Sequence, residues 1–167
     1  GGALITGRHG GVSVGTQNSA VQWGGNPSKS NTEEYDGSSW ASSGALITNQ
    51  YIGGGAGDQN DAVAFTGEMS PASQTTATQN YNGLVWSTGK NMNVKISNSG
   101  GQGTSNAAFA AGGVLAPATT VTAITQEYNV SNPVNQGIYC FTKMLGDGAV
   151  LDSTSTTTPG GGYGGGY

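Results

Sequence analysis

Charge is scarce in this chain: five basic and nine acidic side chains serve 167 residues, giving a formal net charge of -4. So few cations, spread over the whole length, cannot track a phosphate backbone, which excludes nucleic acid as a partner. No apolar run approaches the roughly 20 residues that a membrane-spanning helix needs, so membrane insertion by a helix is not expected. A single cysteine, Cys140, cannot close an internal disulfide. Within its apolar run it reads as a buried structural thiol. No segment keeps helical spacing for twelve residues, and strands never alternate with helices, which removes parallel α/β folds.

Catalytic groups are equally thin. His9 is the one histidine, it stands beside Gly10 and Gly11, and no Gly-x-Ser-x-Gly elbow surrounds a serine. Glu33 and Glu34 are consecutive on a predicted strand, so they point to opposite faces and read as solvated strand-edge charges rather than a hydrolytic pair. Asp58 and Asp61 flank a turn, but calcium wants six to eight oxygen ligands, and Asp-Gln-Asn-Asp reads as a turn former. Gly53 to Gly55 lack the Lys-Ser/Thr of a phosphate loop and stand in no strand-to-helix context. The expectation is a protein without catalytic, cofactor-binding or metal-binding residues.

Glycine, by contrast, is abundant, with 31 residues. Glycine-rich composition suggests disorder when charge is high, whereas here charge is low and β-branched residues are plentiful. A thin-cored all-β protein whose sharp turns consume the glycines fits better.

The chain repeats itself. Tyr35, Tyr81 and Tyr128 stand 46 and 47 residues apart, Trp40 and Trp86 stand 46 apart, and "GALIT" occurs at Gly2–Thr6 and again at Gly44–Thr48. Gly15-Thr16-Gln17-Asn18, Gly57-Asp58-Gln59-Asn60 and Gly103-Thr104-Ser105-Asn106 recur at 42 and 46. Within the second copy, residues 50–56, 61–67, 74–81 and 84–86 read as strands. Asn82-Gly83 is expected to form a tight hairpin turn with both central residues at positive φ, and Asp36-Gly37 to do the same in the first copy. Four short strands per period of about 45 residues is the pattern of a propeller blade.

These residues carry a family likeness. A glycine pair closing an apolar strand (Gly24-Gly25 and Gly112-Gly113, with Thr66-Gly67 as a degraded form), then a Tyr, then a Trp five residues on, resembles the kelch repeat. It is also similar to the blades of the galactose oxidase central domain. A divergent form of the repeat is similar to those in fibre-like or surface proteins of marine bacterial viruses. The likeness spans residues 1–128 and implies blades in which Tyr35, Tyr81, Tyr128, Trp40 and Trp86 fill the space between sheets, while Gly24, Gly25, Gly67, Gly112 and Gly113 let backbones approach and turn. Copper chemistry of the galactose oxidase kind would need two histidines, and the chain has one. No cofactor is implied.

Repeat units near 1–43, 44–88 and 89–152 are expected, the last atypical because no Trp follows Tyr128 at the usual distance. Residues 153–167 form a Ser/Thr/Gly/Tyr-rich tail with Tyr163 and Tyr167 as candidate partner contacts. Propellers close with about four to eight blades, and this length supplies fewer than four. An incomplete propeller or open blade array is therefore expected, completed by other copies or by further sequence; a processed or partial chain fits the opening within a repeat. The function implied is a structural subunit of a virion surface or an extracellular fibre, partnered by other copies of itself or by other virion or filament proteins. The alternative is a recognition module whose loops hold a host-surface glycan or protein, with Trp23 and Tyr51 as candidate contacts.

Overall fold

The computed structural model describes residues 1–26, 30–69, 73–115 and 120–130. The first sheet is an antiparallel meander of β1 (Val12–Thr16), β2 (Ser19–Trp23), β3 (Thr32–Tyr35) and β4 (Trp40–Ser43). The second begins with β5 (Gly54–Gly57) and β6 (Ala62–Phe65). After a short side hairpin of β7 (Glu68–Met69) and β8 (Ser73–Gln74), it continues with β9 (Thr78–Tyr81) and β10 (Trp86–Thr88). Next come β11 (Ile96–Ser97), β12 (Gly100–Thr104), β13 (Ala107–Ala111), β14 (Val114–Leu115), β15 (Thr120–Val121) and β16 (Thr125–Asn129). The third sheet, β12-β13-β16, has three strands among the described residues, and β11, β14 and β15 form a small sheet beside it. The protein is thus all-β, and among the described residues the blade-like sheets form an array that does not close into a ring.

The repeat seen in the sequence is a repeat of register. Gly15 pairs with Ala20 and Ala20 with Tyr35; Gly57 pairs with Ala62 and Ala62 with Tyr81; Gly103 pairs with Ala108 and Ala108 with Tyr128. Tyr35 pairs with Trp40 and Tyr81 with Trp86. The two families of offset now have one cause. Ala20 to Tyr35 spans 15 residues, against 19 from Ala62 to Tyr81 and 20 from Ala108 to Tyr128. The connection between the second and third strands of the first unit is simply shorter.

The glycine pairs also superpose. Gly24 and Gly25, Gly112 and Gly113, and the degraded pair Thr66 and Gly67 all take positive φ, with Thr66 at 60°. A β-branched residue rarely tolerates that conformation, so Thr66 is held there by its surroundings. It is fully buried, and its hydroxyl meets that of Ser99. Among these pairs the need for glycine is sharpest at Gly24, where a Cβ would stand 2.3 Å from the Gln50 carbonyl oxygen.

Backbone bonds tie each unit to the next. Gly25 N–H donates to Gln50 C=O, and Gly67 N–H to Ile96 C=O. Ile52 N–H donates to Gly10 C=O, and Asn98 N–H to Ile52 C=O, three equivalent residues that all have positive φ. His9 bridges Asn26 at the place where Tyr51 bridges Glu68 and Ser97 pairs with Val114. His9 therefore occupies a repeat position whose work is main-chain pairing.

The turns differ from the expected form. The loops after β3 and β9 span residues 36–39 and 82–85, and only their glycines, Gly37 and Gly83, have positive φ. Asp36 Oδ1 accepts from Ser38 and Ser39 N–H, and Asn82 Oδ1 from Leu84 and Val85 N–H. A side-chain acceptor replaces the second left-handed residue. Asp58 does the same for Asn60 and Asp61, as a turn former.

Candidate functional site: the faces between sheets

Each strand alternates its side chains between two faces, and in the middle sheet both faces are covered. Ala62 and Ala64 point to a core shared with Val21, Trp23, Leu46, Tyr81 and Trp86. Val63 and Phe65 point the other way, to a core with Ala56, Met92, Ile96, Ala108, Ala110 and Tyr128. Among the described residues the core is divided into two joints, one on either side of the middle sheet.

The four residues that begin Thr32-Glu33-Glu34-Tyr35 recur as Thr78-Gln79-Asn80-Tyr81 and Thr125-Gln126-Glu127-Tyr128, and each position has its own task. The second residue clamps main chain within its own unit. Gln79 accepts from Thr48 N–H and donates to Thr48 C=O, and Gln126 does both for Val94. Glu33 stands at the same place but cannot donate. It accepts from Ile5 and Thr6 N–H, and the Arg8 guanidinium pairs with it. Arg8 in turn donates to the carbonyls of Thr6, Gly24 and Asn31. Glu33 is 1% exposed. It is therefore no solvated strand-edge charge, as its sequence context had suggested, although Glu33 and Glu34 do point to opposite faces.

The first, third and fourth residues build the joints. The Tyr81 hydroxyl donates to Glu34 of the preceding unit and also meets Ser43 Oγ; the Tyr128 hydroxyl donates to Asn80 at 3.1 Å. Trp86 Nε1 donates to Thr32 Oγ1 at 2.9 Å. Trp86 stacks on Tyr81 with ring centroids 4.9 Å apart and meets Trp23 edge-on at 5.1 Å. Where the third unit lacks its tryptophan, the equivalent Thr78 hydroxyl is buried without a partner. Gln59 at the β5–β6 turn adds a hook, accepting from the Ser19 hydroxyl and donating to Tyr35 C=O.

Electrostatics follow this packing. Burial, and then the Glu34 carboxylate beside it, push the Tyr81 phenol up to about 12. The backbone N–H groups of Ser39 and Ser38 hold the Asp36 carboxyl below its ordinary value. For Tyr81 the raised value means that the folded state keeps its proton longer than the unfolded chain does. Its contribution is complete below pH 10 and is lost as pH rises toward 12. We expect urea midpoints of the wild type to fall between pH 10 and pH 12 relative to those of Tyr81→Phe, which lacks this titration. Parallel curves for the two proteins would contradict the assignment.

The anchors predicted from sequence converge: Tyr81, Trp86 and Tyr128 fill joints, and Tyr35 and Trp40 make the equivalent pair on the outer face of the first sheet, with centroids 5.0 Å apart. Trp23 does not behave as a ligand contact. At 1% exposure it lies in the first joint, out of reach of a glycan. Tyr51 is half-buried and meets the His9 ring edge-on at 6.0 Å. Cys140, Tyr163 and Tyr167 lie outside the described residues, as does the loop around Pro71. Among the described residues no group of three or more His, Cys, Asp and Glu side chains stands together to hold a metal. The chain matches no family model, and a search of curated proteins finds no relative.

Proposed function

We propose that this chain is a non-enzymatic structural subunit, built of kelch-like β repeats, of a virion surface or fibre or of a comparable extracellular filament. One observation carries the reading: the residues that recur at fixed spacing are spent on holding sheet against sheet. The glutamate or glutamine of the repeated quartet clamps main chain in all three units, and Thr32, Tyr81 and Tyr128 bond to the neighbouring unit. The buried acid Glu33 is neutralised by Arg8 and two backbone N–H groups, a structural use of charge. The placement on a virion or filament rests on the likeness of the repeats to viral surface proteins. The glycan-binding alternative loses one of its two aromatic contacts, because Trp23 is in the core.

The test is to isolate the particle or filament that carries this chain and measure its copy number by quantitative mass spectrometry, alongside a glycan array on the purified protein. A fixed stoichiometry with the main structural protein, and no glycan signal, is the expected result. A specific glycan signal lost in Tyr51→Ala, with the protein absent from any assembly, would replace the scaffold with a recognition module.

A further inference from the structure

The outer face of the third sheet carries the receptor half of a joint. Three positions line up with those of the first joint. Phe109 occupies the place of Val21, Thr125 that of Thr32, and Glu127 that of Glu34. In the first joint those residues meet the next unit: Val21 belongs to its apolar core, Thr32 accepts from the Trp86 indole and Glu34 from the Tyr81 hydroxyl. On the third sheet Phe109 is instead 41% exposed, in a groove of about 390 Å³ lined by Phe109, Thr125, Glu127 and Tyr128 among others. Such a face presents one acceptor for an indole, one for a phenol, and an apolar floor between them.

The opposite end of the chain presents the matching half. Tyr35 and Trp40 lie at 5.0 Å and 36°, nearly the same as Tyr81 and Trp86 at 4.9 Å and 34°. The pair is thus already set in the geometry that fills a joint, and both rings are only half-buried. Leu4, at the place of Leu46 in the recurring "GALIT", is also half-buried. Residues 131–167 are a poorer occupant, because they contain no tryptophan: the three in the chain are Trp23, Trp40 and Trp86, and two of them are already buried.

We propose that copies of this chain associate head to tail, Tyr35 and Trp40 of one copy seating on Phe109 of the next, with the Tyr35 hydroxyl donating to Glu127 and the Trp40 indole to Thr125. This deepens the scaffold reading and rests on it, since it names the partner as a second copy and the contact as a continuation of the internal joint. A contact between two different faces is heterologous, so it grows into a filament or closes into a ring according to the rotation per copy.

The experiment uses the full chain and two variants, one blocked at each end: Tyr35→Asp with Trp40→Asp, and Phe109→Asp. Sedimentation velocity from micromolar to hundreds of micromolar is expected to show the wild type growing into multiples of one chain. Each variant alone should stay at one chain, with association weakened at least 100-fold, and an equimolar mixture should stop at a one-to-one dimer, because each copy keeps one live face. Dimer formation in the mixture also shows that both variants fold. The proposal is overturned if the wild type stays at one chain throughout, if either variant assembles like the wild type, or if the mixture of variants stays at one chain although each unfolds cooperatively in urea. Failure here leaves the scaffold reading to its own test, since attachment to another structural protein would give fixed stoichiometry without self-association.

Discussion

Arg8→Met is expected to destabilise the fold by about 3–5 kcal/mol in urea unfolding, because it leaves Glu33 as a buried carboxylate with no cation beside it. Methionine keeps the apolar stem, so the loss reports charge rather than volume. Glu33→Gln alone is also costly, since it strands the guanidinium. The double variant, Arg8→Met with Glu33→Gln, is expected to return to within about 1–2 kcal/mol of the wild type. The reason lies in the other two units, where Gln79 and Gln126 make the same clamp with a neutral amide that donates and accepts at once. A double variant whose loss equals the sum of the single losses would show that the pair is not coupled, and the equivalence of Glu33 with the two glutamines would fall with it.

Trp86→Ala and Trp40→Ala make the second large contrast. The two tryptophans follow the same tyrosine at the same distance and pair with it in the same register. Trp86 is 6% exposed, packs on Trp23 and Tyr81, and donates to Thr32. Its removal is expected to cost about 3–5 kcal/mol, the range for large-to-small changes in a packed core. Trp40 has its tyrosine on one side and, among the described residues, no neighbouring sheet on the other, so at low protein concentration its removal should cost about 1 kcal/mol, the order of one aromatic pair. Measured in dilute solution, the comparison excludes any contact between copies. Equal losses at the two sites would mean that Trp40 has a partner within the chain, and the outer face of the first sheet would not be free to seat on another copy.

Much of the architecture was legible in the chain of residues, and for a definite reason. A tyrosine that spans a joint is too large to be replaced by chance, and a glycine with positive φ opposite a carbonyl has no substitute, so both stay fixed while loops change. Thr66-Gly67 could be read as a worn glycine pair because it kept its place in the period, and its φ values agree. Less visible was the rest of the quartet. Thr32, Thr78 and Thr125 precede the three tyrosines by three residues, and Glu33, Gln79 and Gln126 by two. Aligning the copies on tyrosine exposes that recurrence. Yet the substitution of glutamate for glutamine hid its meaning, because Arg8, which compensates for it, lies 25 residues upstream of Glu33.

The sequence by itself determined that this is an all-β repeat, where its turns fall, and which bulky rings recur, because those are properties of spacing and of single side chains. Only the tertiary structure decided which face each ring covers. Burial depends on whether a neighbouring sheet is present, so Trp40 and Trp86 share one motif and differ in environment. Likewise Glu33 and Glu34, adjacent in the chain, serve an intra-unit clamp and an inter-unit joint, because successive residues of a strand face opposite ways and meet different neighbours.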